Sequence, residues 1–329
     1  MLVLKTFYQM QIKFYLICIL LLTLMSCNEE SKIEKEIANI KTDFTVERFD
    51  KAFFEATPKD LPKLKKAYPF FFSKHIPDSI LVHKMNDTLQ RELLSEVQKT
   101  FPDFKSSKQE LKQLFQHLKY YDKTFTSPRV ITLTNDVAYR DKIIVNDSLV
   151  LIALDNYLGA EHEFYQNISM YIAANLRKDL ITVDVANGYA EKYIFQTNRK
   201  TLLDEMIYFG KLLYFKDVMI PFKTDAEKIG YTEAQIKWAE ANESPIWSYF
   251  IEKELLYNTD PKLPNRFIAD APFSKFYLEL DNESPGRLGQ YMGWQIVRAY
   301  AETTGEDIMT IMQTESEEIF RKSKFKPKK

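Results

Sequence analysis

The residues best placed to do chemistry lie on one segment, Thr201-Leu-Leu-Asp-Glu-Met-Ile-Tyr-Phe-Gly-Lys-Leu-Leu-Tyr214. Asp204, Tyr208 and Lys211 recur at i, i+4 and i+7, the spacing of one helical stripe, with Glu205 beside them. Leu202, Leu203, Met206, Ile207, Phe209, Leu212 and Leu213 surround the stripe with apolar surface, so this helix should be buried nearly all round. Burying a carboxylate without a partner is costly. The stripe therefore either pairs with itself and a neighbouring helix or lines a cleft. A satisfied internal seam is the simpler of the two.

A second segment, Pro285-Gly-Arg-Leu-Gly-Gln-Tyr-Met-Gly-Trp294, holds three of the eight glycines of the chain. Glycine inside a helix costs about 1 kcal/mol relative to alanine, so close packing should compensate. Gly286, Gly289 and Gly293 are expected to share one face that meets the 201–214 helix near Gly210, with axes about 8–10 Å apart. Arg287 and Arg298 would then be counter-charges for Asp204 or Glu205.

Other chemistries find little support. The chain has four histidines, His75, His83, His117 and His162. His162-Glu163 opens like a zinc-protease helix, but Gln166 stands where the second ligand belongs. No glycine-rich phosphate loop, nucleophile elbow or Ser/His/Asp order stands out. Forty-five basic residues against 46 acidic ones leave no field to steer nucleic acid. The tail from Arg321 to Lys329 is basic and reads as a frayed terminus, or as a contact for anionic lipid or an acidic partner.

The elements around these residues are mostly helical. Thr88–Phe101 and Ser107–Tyr121 are amphipathic, the second with a capping box at Ser107 and Glu110. Helices are expected again near 162–176, 199–215, 232–241, 245–257, 286–303 and 306–320, with capping boxes at Thr232/Gln235 and Thr303/Glu306. Strand signals gather at 129–134, 142–145 and 149–154, the last two joined by Asn146-Asp147-Ser148 as a hairpin. The class is mainly α, or α+β, with a small and largely antiparallel sheet.

The N-terminus follows the plan of a secretory signal, with Lys5 and Lys13 ahead of an apolar run from Phe14 to Leu24. Leu24-Met25-Ser26-Cys27 is a lipobox, so cleavage before Cys27 and its acylation are expected. Two or three acyl chains give durable membrane anchoring. The other cysteine, Cys18, leaves with the signal, which removes disulfides, thiolate nucleophiles and Cys-ligated zinc from the mature chain. The expected organisation is a signal peptide (1–26), a lipidated tether (27–41), one globular domain (42–320) and the basic tail (321–329). Asn28 after the anchor favours the outer over the inner membrane; Glu29 and Glu30 leave the facing direction open.

Several unusual stretches resemble the gliding-motility lipoprotein GldB family of Bacteroidota. They are Leu154-Asp-Asn-Tyr-Leu-Gly159, Asp204-Glu-Met-Ile-Tyr-Phe-Gly-Lys211, Asn242-Glu-Ser-Pro-Ile-Trp247 and Gly286–Trp294. The resemblance covers essentially the full length. It implies an envelope protein required for gliding and for the associated type IX secretion machinery, with other proteins of that apparatus as partners. The family also looks like a degenerate relative of predicted zinc metallopeptidases. On that pattern Asp204 and Tyr208 fall on the two histidine positions, Glu205 on the general base and Glu243 on the third ligand. A phenol and a carboxylate in place of both imidazoles suit zinc poorly, and a base without metal-bound water has nothing to activate. The resemblance thus implies a pseudo-enzyme with a zincin-like remnant, no metal and no cofactor. Lys211, Asn242, Trp247, Arg287, Trp294 and Arg298 are its candidate cleft or structural residues. A divergent hydrolase using an oxygen-preferring cation and a lipoprotein that binds peptide or glycan are the competing readings.

Overall fold

A computed structural model describes residues 32–277 and 281–328. The signal, the lipobox and Cys27 lie outside the described residues. The chain forms two compact units that divide after Ile40. The described part of the first is a helix, α1 (Lys32–Ala38), within the stretch expected to be a tether.

The second unit opens with β1 (Val46–Arg48) and then α2 (Phe49–Phe54), α3 (Leu61–Ala67), α4 (Asp78–Asn86), α5 (Thr88–Thr100) and α6 (Lys105–Tyr121). Three strands follow, β2 (Arg129–Leu133), β3 (Ile143–Val145) and β4 (Leu149–Ala153). Next come α7 (Met170–Ala173), α8 (Ile181–Tyr193), α9 (Leu202–Met219), α10 (Asp225–Ile229) and α11 (Glu233–Ala241). The chain closes with α12 (Glu243–Glu252), α13 (Leu263–Phe267), α14 (Leu288–Thr304), α15 (Ile308–Gln313) and α16 (Ser316–Ser323). The fold is mainly α with one small sheet, the class the sequence implies.

The expected hairpin is present. Asn146 Oδ1 accepts from the backbone N–H groups of Ser148 (2.9 Å) and Leu149 (2.7 Å), which fixes the β3–β4 turn. The sheet as a whole is mixed rather than largely antiparallel. Its order is β1-β2-β4-β3, and β2 pairs parallel with both β1 and β4. Parallel pairing needs a long crossover, and α2 to α6 supply it between β1 and β2. β1 has three half-buried residues and shows no alternation to read.

Other differences have local causes. The segment 162–176 is no single helix but a 3₁₀ turn at Glu163–Tyr165 followed by α7. α6 starts at Lys105, ahead of the expected Ser107 cap, and Asp103 Oδ1 accepts from the Lys105 N–H (3.1 Å). Thr303 lies inside α14, where its hydroxyl donates to the Ser323 carbonyl, while Asp307 caps α15. The Thr232/Gln235 box closes as expected.

The central packing event is between α9 and α14. A Cβ at Gly210 would overlap the Gly293 carbonyl, and one at Gly293 would overlap the Met206 carbonyl. The two helices therefore touch backbone to backbone, as the glycine pattern implies. The shared face ends there. Gly289 lies against Phe267 and Ile268, and Gly286 precedes the helix and abuts the Ala271 carbonyl.

Candidate functional site

The polar stripe on α9 resolves into four separate roles. Asp204 is the third helical residue of a capping box. Its carboxylate accepts from the N–H groups of Thr201 (2.9 Å) and Lys200 (3.1 Å), and the Thr201 hydroxyl accepts from the Asp204 N–H (3.1 Å). The hydroxyl of Ser316, at the start of α16, donates to the same carboxylate. Burial pushes the Asp204 carboxyl up, but these donors outweigh it and hold its pKa below the ordinary value. Glu205 points elsewhere, into a fork with Arg199 (2.9 and 2.5 Å). That guanidinium also stacks over the Tyr208 ring at 3.6 Å.

Lys211 is fully buried. Its ammonium donates to the carbonyls of Thr314 (2.5 Å) and Met312 (3.4 Å), which terminates α15 with a cation. Burial lowers its pKa from 10.5 to about 8. Between those values the unfolded chain binds more protons than the folded one, so stability rises with pH across that window. Lys211 contributes at most about 3 kcal/mol to this rise. The buried tyrosines act in the opposite direction only above about pH 10, where unfolded tyrosines ionise. Denaturant titrations from pH 8 to 10 should show the rise, and Lys211→Met should remove its share.

The remaining sequence candidates are held in other places. Glu243, 1% exposed at the start of α12, accepts from the Tyr291 hydroxyl (2.7 Å) and from the Lys328 N–H (2.8 Å). Asn242 caps α11 by donating to the Trp238 carbonyl (2.7 Å). Trp247 packs against Phe320 and Phe325. Through Phe325 and Lys328 the basic tail docks on the domain instead of fraying.

Arg287 and Arg298 do not neutralise Asp204 or Glu205. Arg298 bonds both carboxylate oxygens of Asp217 (2.7 and 2.8 Å) and both of Asp225 (2.8 and 2.9 Å), and its guanidinium lies 3.8 Å over the Trp294 ring. Trp294 donates to Asp217 as well (2.8 Å). The reason is direction: Asp204 and Glu205 sit in the first turn of α9, whereas Asp217 sits in its last. Asp204, Glu205 and Glu243 each face a different partner. Among the described residues no three His, Cys, Asp or Glu side chains converge as a metal site would require. His162 accepts from the Phe164 N–H through Nδ1 and has Nε2 3.5 Å from Glu96.

The structure instead shows a cavity of about 500 Å³ that takes its floor from another face of α9, through Phe209, Leu212, Leu213 and Lys216. Val183, Asp184 and Asn187 of α8 form a wall, and Lys142 and Arg287 also line it. Lys142 pairs with Asp184 (2.7 Å), which also accepts from the Tyr157 hydroxyl (2.8 Å). Lys216 is 7% exposed, and among the described residues its ammonium makes one hydrogen bond, to the Lys228 carbonyl (3.1 Å). Desolvation lowers its pKa to about 8; Asp184 opposes that shift, while Arg287 and Lys142 reinforce it.

Arg287 reaches the cavity from a left-handed backbone, φ 61° and ψ 24°, at the N-cap of α14. That conformation costs a residue with a Cβ about 1–2 kcal/mol. The surroundings hold it there. Its guanidinium donates to the Gly230 carbonyl (2.9 Å) and lies over the Tyr231 ring, whose hydroxyl donates to the Gly286 carbonyl. Arg287 lines a second, adjoining cavity of about 140 Å³ too. Sequence reading names Arg287 but misses Lys216, Lys142 and Asp184. A Lys-Asp pair within an otherwise apolar run (Tyr214-Phe-Lys-Asp-Val-Met219) was the available signal for Lys216.

No curated protein and no solved structure matches the chain. A family model described as gliding motility protein GldB matches residues 30–327. That span takes in α1, the sheet, both cavities and the docked tail as far as Pro327. The chain belongs to the gliding motility protein GldB family.

Proposed function

We propose that this protein is a lipid-anchored, non-catalytic component of the cell envelope that serves gliding motility and the associated type IX secretion machinery. The family match over residues 30–327 carries the reading. Acylated Cys27 would supply the anchor, with the outer membrane preferred over the inner, and no described helix is long and apolar enough to cross a membrane.

A non-catalytic role is supported by the partners of the carboxylates. Asp204 serves as a helix cap, Glu205 pairs with Arg199, and Glu243 accepts from Tyr291 and the tail. In this reading the likeness to zinc metallopeptidases is ancestral, and former ligand and base positions act as fixtures of a packed fold. The cavity around Lys216 and Arg287 favours a second reading compatible with the first, a lipoprotein that also holds a ligand.

The test is complementation. Depleting the protein should abolish colony spreading and reduce secretion, and Cys27→Ala should restore neither even when the chain accumulates. Normal spreading and secretion after depletion would reject the reading.

A further inference from the structure

The cavity on α9 contains an imbalance that no internal contact removes. Four carboxylates line it, and each has a partner within the fold. Asp184 is held by Lys142 and Tyr157, Glu227 by Lys223 and the Thr224 N–H, and Glu191 by Asn187. The fourth, Asp270, is two-thirds exposed and stands 3.5 Å from Arg287. Lys228 is neutralised by Asp217 and Asp225. That leaves Lys216 as a buried ammonium with one carbonyl partner and no carboxylate among the described residues within ion-pair distance. Arg287, the second cation, is held toward the same space by a strained backbone, and strain of this kind collects at ligand clamps.

An unmatched buried cation is costly, and the void that it faces has the size of a small-molecule site, about 300–1,000 Å³. We infer that the cavity binds an apolar molecule by its carboxylate, with Lys216 and Arg287 as the counter-charges and Val183, Leu212 and Leu213 against its body. Three observations narrow the class. An ammonium has three donors, and Lys216 uses one, so two remain for an acceptor. Asp184 and Glu191 on the α8 wall disfavour a dianion such as a phosphate monoester. The apolar side chains of α8 and α9 favour a hydrocarbon or small-peptide body over a glycan. The C-terminus of a short peptide and a free fatty acid share this chemistry. The inference rests on the ligand-holding reading above and is independent of the motility reading.

Calorimetry on the full chain in nonionic detergent tests it with two probe pairs: N-acetyl-Ala-Val-Leu against its C-terminal amide, and hexanoate against hexanamide. At least one acid should bind ten or more times tighter than its amide. The peptide acid alone would identify a chain terminus as the source, and hexanoate alone a lipid-derived acid; either supports the inference. Lys216→Met should erase the preference for the acid, and Arg287→Gln should weaken it at least fivefold. Should Lys216→Met melt early, Arg287→Gln in a folded sample keeps the test intact.

Above pH 8 the acid should bind progressively more weakly in the wild type as Lys216 loses its proton, by up to tenfold per unit. Asp184 and Glu191 of α8, Lys142 before β3 and Arg287 act on that ammonium, and Arg140, Glu227, Lys228 and Asp270 are the other charged groups lining the cavity. Acid and amide binding alike, or no heat from any probe at 5 mM with folded protein, would overturn the inference. So would undiminished acid binding by both variants. Complementation reports separately on motility, so either proposal can fail without the other.

Discussion

Gly293→Ala should destabilise the fold by about 3 kcal/mol and lower its melting temperature by roughly 5–10 °C. The added methyl would fall on the backbone carbonyl of Met206, not on a side chain that could rotate away. Relief requires α9 and α14 to separate, and that separation would loosen a core that includes Met206, Ile207, Met292, Trp294 and Ile296. Gly210→Ala pushes on the same contact from the other side, so the double variant should lose less than the sum of the two. Gly305→Ala is the control. It occupies a left-handed helix end with open space around it and should cost only about 1 kcal/mol. Thermal unfolding by circular dichroism reads all four, and a Gly293→Ala loss within 0.5 kcal/mol would mean the helices do not meet as described.

The next largest effect is expected at Arg298. Arg298→Met removes four hydrogen bonds from Asp217 and Asp225 and leaves Lys228 as their cation. Breaking a half-buried pair on one side strands the charge on the other. A loss of about 2–4 kcal/mol is expected, with partial recovery when Asp225→Asn is added. Burial pushes the Asp225 carboxyl up, but the Arg298 bonds outweigh it and keep its pKa low. Its stabilisation is therefore present above the ordinary carboxylate range and lost as pH falls through the folded pKa, so the variant should differ less from wild type in acid. Denaturant unfolding at pH 7 and pH 3 measures both points.

What the sequence reveals here depends on how local the cause is. The Gly210–Gly293 contact is legible because glycine inside a helix demands an explanation and close packing is the commonest one. The Thr232 cap and the Asn146 turn are legible because their partners lie within three residues. α8 is not, since Ile181, Thr182, Val183 and Val185 are β-branched and Gly188 interrupts the run; tertiary packing overrides those propensities. Gly188 itself packs against Val145 of β3, a contact no local pattern reveals. β1 escapes for the same reason, because its pairing partner begins more than 80 residues later.

The site follows the same division. Asp204, Glu205 and Tyr208 can be placed on one helix from spacing alone, but spacing cannot choose between a metal ligand and a cap. The partners that hold Asp204 and Glu205, Ser316 and Arg199, come from α16 and the loop before α9. The cavity is built from α8, α9, α10 and residues near Lys142 and Arg287, so no continuous stretch carries its signature. Arg287 is the exception. Its position in the glycine-rich segment draws attention, although its partners turn out to be Gly230 and Tyr231 rather than Asp204.

The central claim, that the protein serves the envelope machinery without catalysing a reaction, meets its most direct test in one measurement. Cells depleted of the native chain would express a Glu205→Gln, Glu243→Gln double variant at matched abundance, and colony spreading and secretion would be scored. Glutamine keeps an acceptor for Arg199 and for Tyr291 while removing any general base or metal-binding carboxylate at both positions. Rescue equal to wild type is the predicted result. Loss of spreading or secretion, with the variant folded and abundant, would contradict it by showing that the charge of at least one of these carboxylates is needed for function.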